Sequence, residues 1–350
     1  MRPDRRVILQ AFAAIMTTTC GFRSEAELTE PASSSGIPLR ASATFNSLWE
    51  NFKALRMTAE GRIVDDGNNG ISHSEGQGYA MVFAVAAGDR DGFRRLNDWT
   101  LHNLARVDTA LHSWLYDPSR PDPLADANNA TDGDLLIAWA LALAGRSWDV
   151  PSYVDRAVEI QQAIRDRLFV QTAGRLVLLP GLQGFQHEER TVFNPAYFIW
   201  SAFRTFAEIG DPDFWNRVTT DSEWLLDRSA FGPLQLPSDW CELTSDGLVQ
   251  PAAGWPPRFG FDAIRIPIYR KLDDRAVSSR LVAYWESFLA YDRTVPAWIN
   301  VMTGETPDFG LSAGGLSVVT SITGRAVSQP VGPRDYYSDV LELLVELARS

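Results

Sequence analysis

The sequence predicts an all-α protein in which two concentric layers of helices form a toroid. Three observations carry this expectation. The stretches 75–88 (EGQGYAMVFAVAAG) and 132–145 (DGDLLIAWALALAG) are apolar almost all round, as helices buried on both sides are. Each is followed by a stretch with one apolar stripe and a charged opposite face. Strand signals are few, and no fixed-period repeat points to a solenoid.

Read in chain order, the N-terminus comes first. Arg2, Arg5 and Arg6 precede the short apolar run Val7 to Met16, and small residues follow, which is the layout of a signal segment over 1–25. The run is too short to span a bilayer, and RRVILQ is similar to a twin-arginine export signal. Residues 26–42, with Pro31, Ser33, Ser34, Ser35 and Gly36, read as a linker, and Ala41-Ser42-Ala43 is a candidate cleavage point. From 43 to 350 no linker or low-complexity tract occurs, so one catalytic-size domain is expected.

Within that domain, the buried stretch 75–88 is followed by a polar helix over 90–105. The buried stretch 132–145 is followed by 151–169, where Val154, Ala157, Val158, Ile164 and Leu168 share a stripe. The alternation recurs at 195–208 with 212–228, and at 262–272 with 275–290. A hairpin is expected at 168–179 around Gly174.

Composition narrows the function. The net charge of −12 argues against nucleic acid and fits a neutral or polycationic substrate. Of the two cysteines, Cys20 lies in the leader, leaving Cys241 as a lone thiol without a disulfide or a cysteine metal site. No His/Asp/Glu cluster has metal-ligand spacing, and no phosphate or dinucleotide fingerprint is present, so neither metal nor cofactor is expected.

Three acidic strings remain. In His73-Ser74-Glu75-Gly76-Gln77-Gly78-Tyr79 a glutamate enters an apolar helix between glycines that leave room for a bulky ligand; a first-turn glutamate behind a Ser74 cap is the structural alternative. In Asn128-Asn129-Ala130-Thr131-Asp132-Gly133-Asp134, Thr131 or Asp132 could cap the helix. The two aspartates would project about 200° apart, one toward the fold and one toward a cleft. In Phe261-Asp262-Ala263-Ile264-Arg265 the acid and arginine are helical neighbours, either a structural ion pair or a carboxylate held ionised for base work. Of the twelve tryptophans, Trp114 (with Tyr116), Trp148, Trp200, Trp240, Trp255 and Trp298 are candidate sugar platforms, with core packing the alternative for each.

Together the three strings resemble glycoside hydrolase family 8. SEGQGYAM is similar to its general-acid segment, with Ala80-Met81 where Gly-Met is usual. ATDGDLLIAWALALAGRSW is similar to its signature helix, and FDAIRIP to the segment carrying the base. The likeness runs from LWENFK to YYSDVLELL, and GRIVDDGNNGISHSEGQGYAM is nearest the endoglucanases that accompany bacterial cellulose synthases. The resemblance implies an (α/α)6 barrel and an inverting, metal-free cellulase. Glu75 would be the acid and Asp262 the base, with Asp132 at the cleaved sugar. It further implies that Arg265 orients Asp262, that Trp114 and Tyr197 line the sugar cleft, and that Arg265 and Tyr79 also belong to the substrate-binding set. The chain would be a secreted or periplasmic monomer whose substrate is β-1,4-glucan and whose partner is the cellulose-synthesis machinery, with no membrane insertion. Xylanase, exo-oligoxylanase and chitosanase activities belong to the same family. A non-catalytic glycan-binding protein or a cyclase-like toroid are the readings from other classes.

Overall fold

In the computed structural model, which describes residues 41–327 and 334–349, apolar patterning resolves into eleven helices among the described residues. They are α1 (Ala43–Arg56), α2 (Ser74–Ala87), α3 (Arg90–Asn103), α4 (Thr131–Trp148), α5 (Pro151–Arg167), α6 (Trp200–Ile209), α7 (Pro212–Arg228), α8 (Ile266–Leu272), α9 (Ser279–Leu289), α10 (Ala313–Thr323) and α11 (Tyr336–Leu347). The signal segment, Cys20 and the linker up to residue 40 lie outside the described residues. Ser42, at the linker's end, is already structural: its hydroxyl accepts from the Phe45 N–H and caps α1.

The two kinds of helix expected are found. Nearly every residue of α2 and α4 is buried, whereas α3, α5 and α7 bury one stripe. Neighbour contacts run from α2 to α4, α6, α8 and α11 and return to α2, which closes a ring, and α10 touches both α8 and α11. Helices α3, α5 and α7 pack behind α2, α4 and α6 respectively. A toroid follows, because an inner helix apolar on all sides needs partners both beside and behind it.

Two predicted helices begin late. Residues 195–199 do not join α6: Asn194 Oδ1 accepts from the Ala196 N–H, and a 3-10 turn forms over Pro195–Tyr197. Likewise 263–265 is a 3-10 turn, with Pro267 early in α8, where a missing N–H costs nothing. The structure also holds α1, α10 and α11, to which periodicity had not pointed.

Short strands decorate the ring: β1 (Ser72–His73), β2 (Leu115–Tyr116), β3 (Phe169–Thr172), β4 (Arg175–Leu178), β5 (Arg190–Phe193), β6 (Cys241–Thr244), β7 (Val249–Pro251), β8 (Arg258–Phe259) and β9 (Ile299–Asn300). The β3–β4 hairpin turns at Ala173 and Gly174, both at positive φ (48° and 77°), as a two-residue hairpin turn requires. The antiparallel sheet β5–β6–β7 was not foreseen. No helix among the described residues is long and apolar enough to cross a membrane.

Candidate active site

The site forms where α2 and α4 start side by side. Their approach depends on Gly133: a Cβ there would lie 2.1 Å from Ser74 Oγ and 2.7 Å from the Glu75 N. Space at Gly76 is likewise filled by protein, since a Cβ would meet the Tyr336 hydroxyl at 2.8 Å. These glycines thus serve helix packing, and the ligand room expected beside Glu75 comes from elsewhere. The cap of α2 is His73, not Ser74: its Nδ1 accepts from the Gly76 N–H at 3.0 Å. Its Nε2 faces Asp65 at 3.4 Å and its Nδ1 lies 3.9 Å from Glu75 Oε2.

The pair in TDGD divides its labour. Asp134 is fully buried; it accepts from the His112 backbone N–H and from Asn129 Nδ2, both at 2.9 Å, and its Oδ1 lies 2.8 Å from His112 Nδ1. These bonds hold the 112–129 segment on α4. The Ser74 N–H donates to the Trp114 carbonyl, and β1 pairs with β2, so Trp114 is fixed beside Glu75. Asp132 turns the other way. A cleft of about 300 Å³ is lined by Glu75, Asp132, Trp114, Tyr197, His73 and Tyr337, among others.

Arg265 joins the three strings. Its guanidinium is 2% exposed; Nη1 pairs with Glu75 and lies 3.8 Å from Asp132 Oδ2, and Nη2 contacts Asp262 Oδ1 at 2.5 Å. Nη1 also donates to the Tyr79 hydroxyl at 3.1 Å, which is 2.5 Å from the Tyr269 hydroxyl. Arg265 and Tyr79 are therefore buried, at 2% and 0% exposure, beneath the carboxylates they contact.

One guanidinium cannot neutralise three carboxylates, so the cluster retains protons. Burial, reinforced by Asp134, pushes the Asp132 carboxyl up to about 7, against the opposing pull of the Gly133 N–H and His73. Burial and the charges of Asp239 and Asp132 push Asp262 well above the usual carboxylate range. Its side chain nonetheless keeps 29% of its surface open. The arginine next to Asp262 was read either as a structural ion pair or as holding the carboxylate ionised. Shared with Glu75, it does not outweigh burial and two neighbouring acids. Tyr197 hydrogen-bonds Asp132, and burial with the charges of Asp132 and Asp262 keeps its phenol protonated.

Sequence reasoning missed Asp239. Its Oδ1 accepts from the N–H groups of Gly260 and Ala263 at 3.0 and 2.8 Å, which pins the loop that carries Asp262. Burial pushes its own carboxyl up to about 6. The only signal was an aspartate preceding Trp240, and the partners lie more than twenty residues away.

Trp240, Trp255 and Phe185 lie nearly parallel, with ring centroids 5.4, 5.8 and 6.5 Å apart, and Tyr197 meets Trp240 edge-on at 6.5 Å. The three rings form an offset-stacked apolar cluster. Trp200 is buried at 1% exposure and belongs to the core, and Trp148 is partly buried, packed on Phe93 at the core's edge. Trp298 is covered by Arg258, 3.6 Å from its ring. Cys241 is a buried thiol, pushed up to about 12 by burial.

Residues 33–350 match the family described as "Glycosyl hydrolases family 8". The chain belongs to glycoside hydrolase family 8. Among relatives, the "Endoglucanase" of Cellulomonas uda is 44% identical over 277 residues, 79% of this chain and 76% of its own length. The "Probable endoglucanase" of Novacetimonas hansenii is 36% identical over 311 residues, 86% of this chain and 90% of its own. Among solved structures, a family 8 endoglucanase of Klebsiella pneumoniae superposes with a TM-score of 0.82 at 41% identity, covering 87% of this chain and 98% of that one. The ring of inner helices is accordingly the (α/α)6 barrel of family 8, and the protein is a glycoside hydrolase.

Proposed function

We propose that this family 8 enzyme is an endo-acting β-1,4-glucanase that cleaves cellulose with inversion. The observation that carries the reading is the convergence of Glu75, Asp132 and Asp262 on Arg265 at a groove flanked by aromatic rings. Glu75 gives its proton to the glycosidic oxygen as the C1–O bond breaks. Asp262 takes a proton from the water that attacks C1 from the opposite ring face, so the new hydroxyl has inverted configuration. Asp132, partly protonated near neutral pH, hydrogen-bonds the sugar at the point of cleavage, and Tyr197 holds Asp132. Arg265 and Tyr79 position the carboxylates from below, and Trp114 and the Phe185–Trp240–Trp255 surface stack on sugar faces. The relatives named endoglucanase support glucan as the substrate.

Reducing-sugar release from carboxymethyl cellulose, xylan and chitosan, measured in parallel, tests the substrate. The expected order puts carboxymethyl cellulose first, with viscosity falling well ahead of reducing-end release, as internal cuts produce. Faster release from xylan or chitosan would move the enzyme to another branch of the family, and activity on none would contradict catalysis.

The basic-then-apolar leader supports export across the inner membrane of a bacterium. N-terminal sequencing of protein recovered from its native host is expected to begin beyond residue 20, and an intact Met1 in a cytosolic fraction would contradict export.

A further inference from the structure

Asn194 follows β5 and opens the 3-10 turn that carries Tyr197. Its Oδ1 is committed to the Ala196 N–H at 2.9 Å, and this fixes which end of the amide faces away from the turn. The residue is 1% exposed, and its Nδ2 has no partner that meets strict hydrogen-bond geometry, the one acceptor it acts on being the Asp262 carboxyl. A buried donor without an acceptor is costly, and such groups persist where they serve a site. The Pro195–Tyr197 turn packs on the 263–265 turn, directly after Asp262. Asn194 also favours the charged form of the Asp262 carboxyl.

We infer that Asn194 is a positioning residue for the general base, its Nδ2 donating to the Asp262 carboxylate so that the other lone pairs face the attacking water. The inference rests on reading Asp262 as the base. The groups around Asp262 explain why a neutral donor is used. Asp239 approaches ahead of β6, Asp132 from α4, Tyr197 from the 195–197 turn, Tyr269 from α8 and Tyr337 from α11, while Arg265 is shared with Glu75. The base needs help against the two acids. An amide gives it without adding a titrating group or drawing Glu75 and Asp132 out of place, as a second cation would.

Two variants separate the donor from the cap. Asn194→Ala removes both without adding charge; Asn194→Asp keeps an acceptor for the Ala196 N–H and nearly the same volume, but loses the donor. For each, kcat and KM on carboxymethyl cellulose are measured across the pH range, together with thermal unfolding. The expected result is a kcat lowered roughly ten- to hundredfold near neutrality, with KM little changed. The acid limb of kcat/KM moves up by about one pH unit, because a base deprived of its donor keeps its proton to higher pH. Asn194→Ala also loses thermal stability through the missing cap, whereas Asn194→Asp keeps the cap and still shows the shifted limb. An acid limb at its wild-type position in either folded variant overturns the inference, whatever the change in kcat. Asp262→Asn serves as the control: if it stays active, the base assignment and the inference both fail. If it is inactive while the limb does not move, only the inference fails.

Discussion

Glu75→Gln is expected to lower kcat on carboxymethyl cellulose by about 10²–10⁴-fold and to lose far less on an aryl cellobioside with an activated leaving group. The amide keeps the shape of the acid at the mouth of α2 and can still hydrogen-bond, but it has no proton to deliver to the departing oxygen. A nitrophenolate leaves without that proton, so the defect shrinks as the leaving group improves. Asp262→Asn should behave differently. Water must be activated whatever departs, so this variant stays poor on both kinds of substrate. Initial rates of both variants on both substrates check the assignment. Equal losses for Glu75→Gln on good and poor leaving groups would remove it from the acid's role.

Arg265→Met should unfold far more readily than the wild type near pH 8. The cation that Glu75, Asp132 and Asp262 share is gone, and removing one member of a buried ion-paired cluster costs about 3–5 kcal/mol. The pH dependence follows from the raised carboxyls. Asp132 titrates near 7 and Asp262 also sits high, so the folded protein holds protons that the unfolded chain releases from about pH 4 upward. Their contribution to stability is complete below the unfolded value and is lost as pH rises through the folded one. Without the guanidinium these groups titrate higher still, so the deficit is largest in alkali and shrinks as pH falls toward about 5. Thermal unfolding at several pH values measures this. A deficit independent of pH would mean that Arg265 contributes packing rather than charge.

The inner helices α2 and α4 were legible because burial on every side leaves an unbroken apolar string. The polar faces of α3, α5 and α7 were legible because one stripe suffices to dock each of them on the helix in front. Periodicity missed the 3-10 turn before α6, where a local hydrogen bond from the Ala196 N–H to Asn194 Oδ1 diverts a string of otherwise suitable residues. In the β5–β6–β7 sheet, β5 pairs with β6 some fifty residues further on, beyond the reach of local pattern. At the site, chemistry concentrated in short strings made Glu75, Asp132 and Asp262 readable. Depth was not readable. Nothing in SEGQGYAM says that Tyr79 lies beneath Glu75 rather than beside the sugar, and nothing in FDAIR says that its arginine is shared with two other strings. Trp200 looked like a platform by residue type alone, and only packing shows it to be core. Asp239 acts on the backbone of a distant loop, a relation that composition does not encode.

The most direct test of the mechanism is the configuration of the first product. Proton NMR spectra taken within the first turnovers of cello-oligosaccharide hydrolysis, before mutarotation mixes the anomers, report which face of C1 was attacked. If Asp262 activates water opposite the leaving group, the new reducing end appears first as the α anomer and the β signal grows only later. Initial appearance of the β anomer would mean that a carboxylate attacks the sugar itself, and would contradict the role of Asp262 as general base.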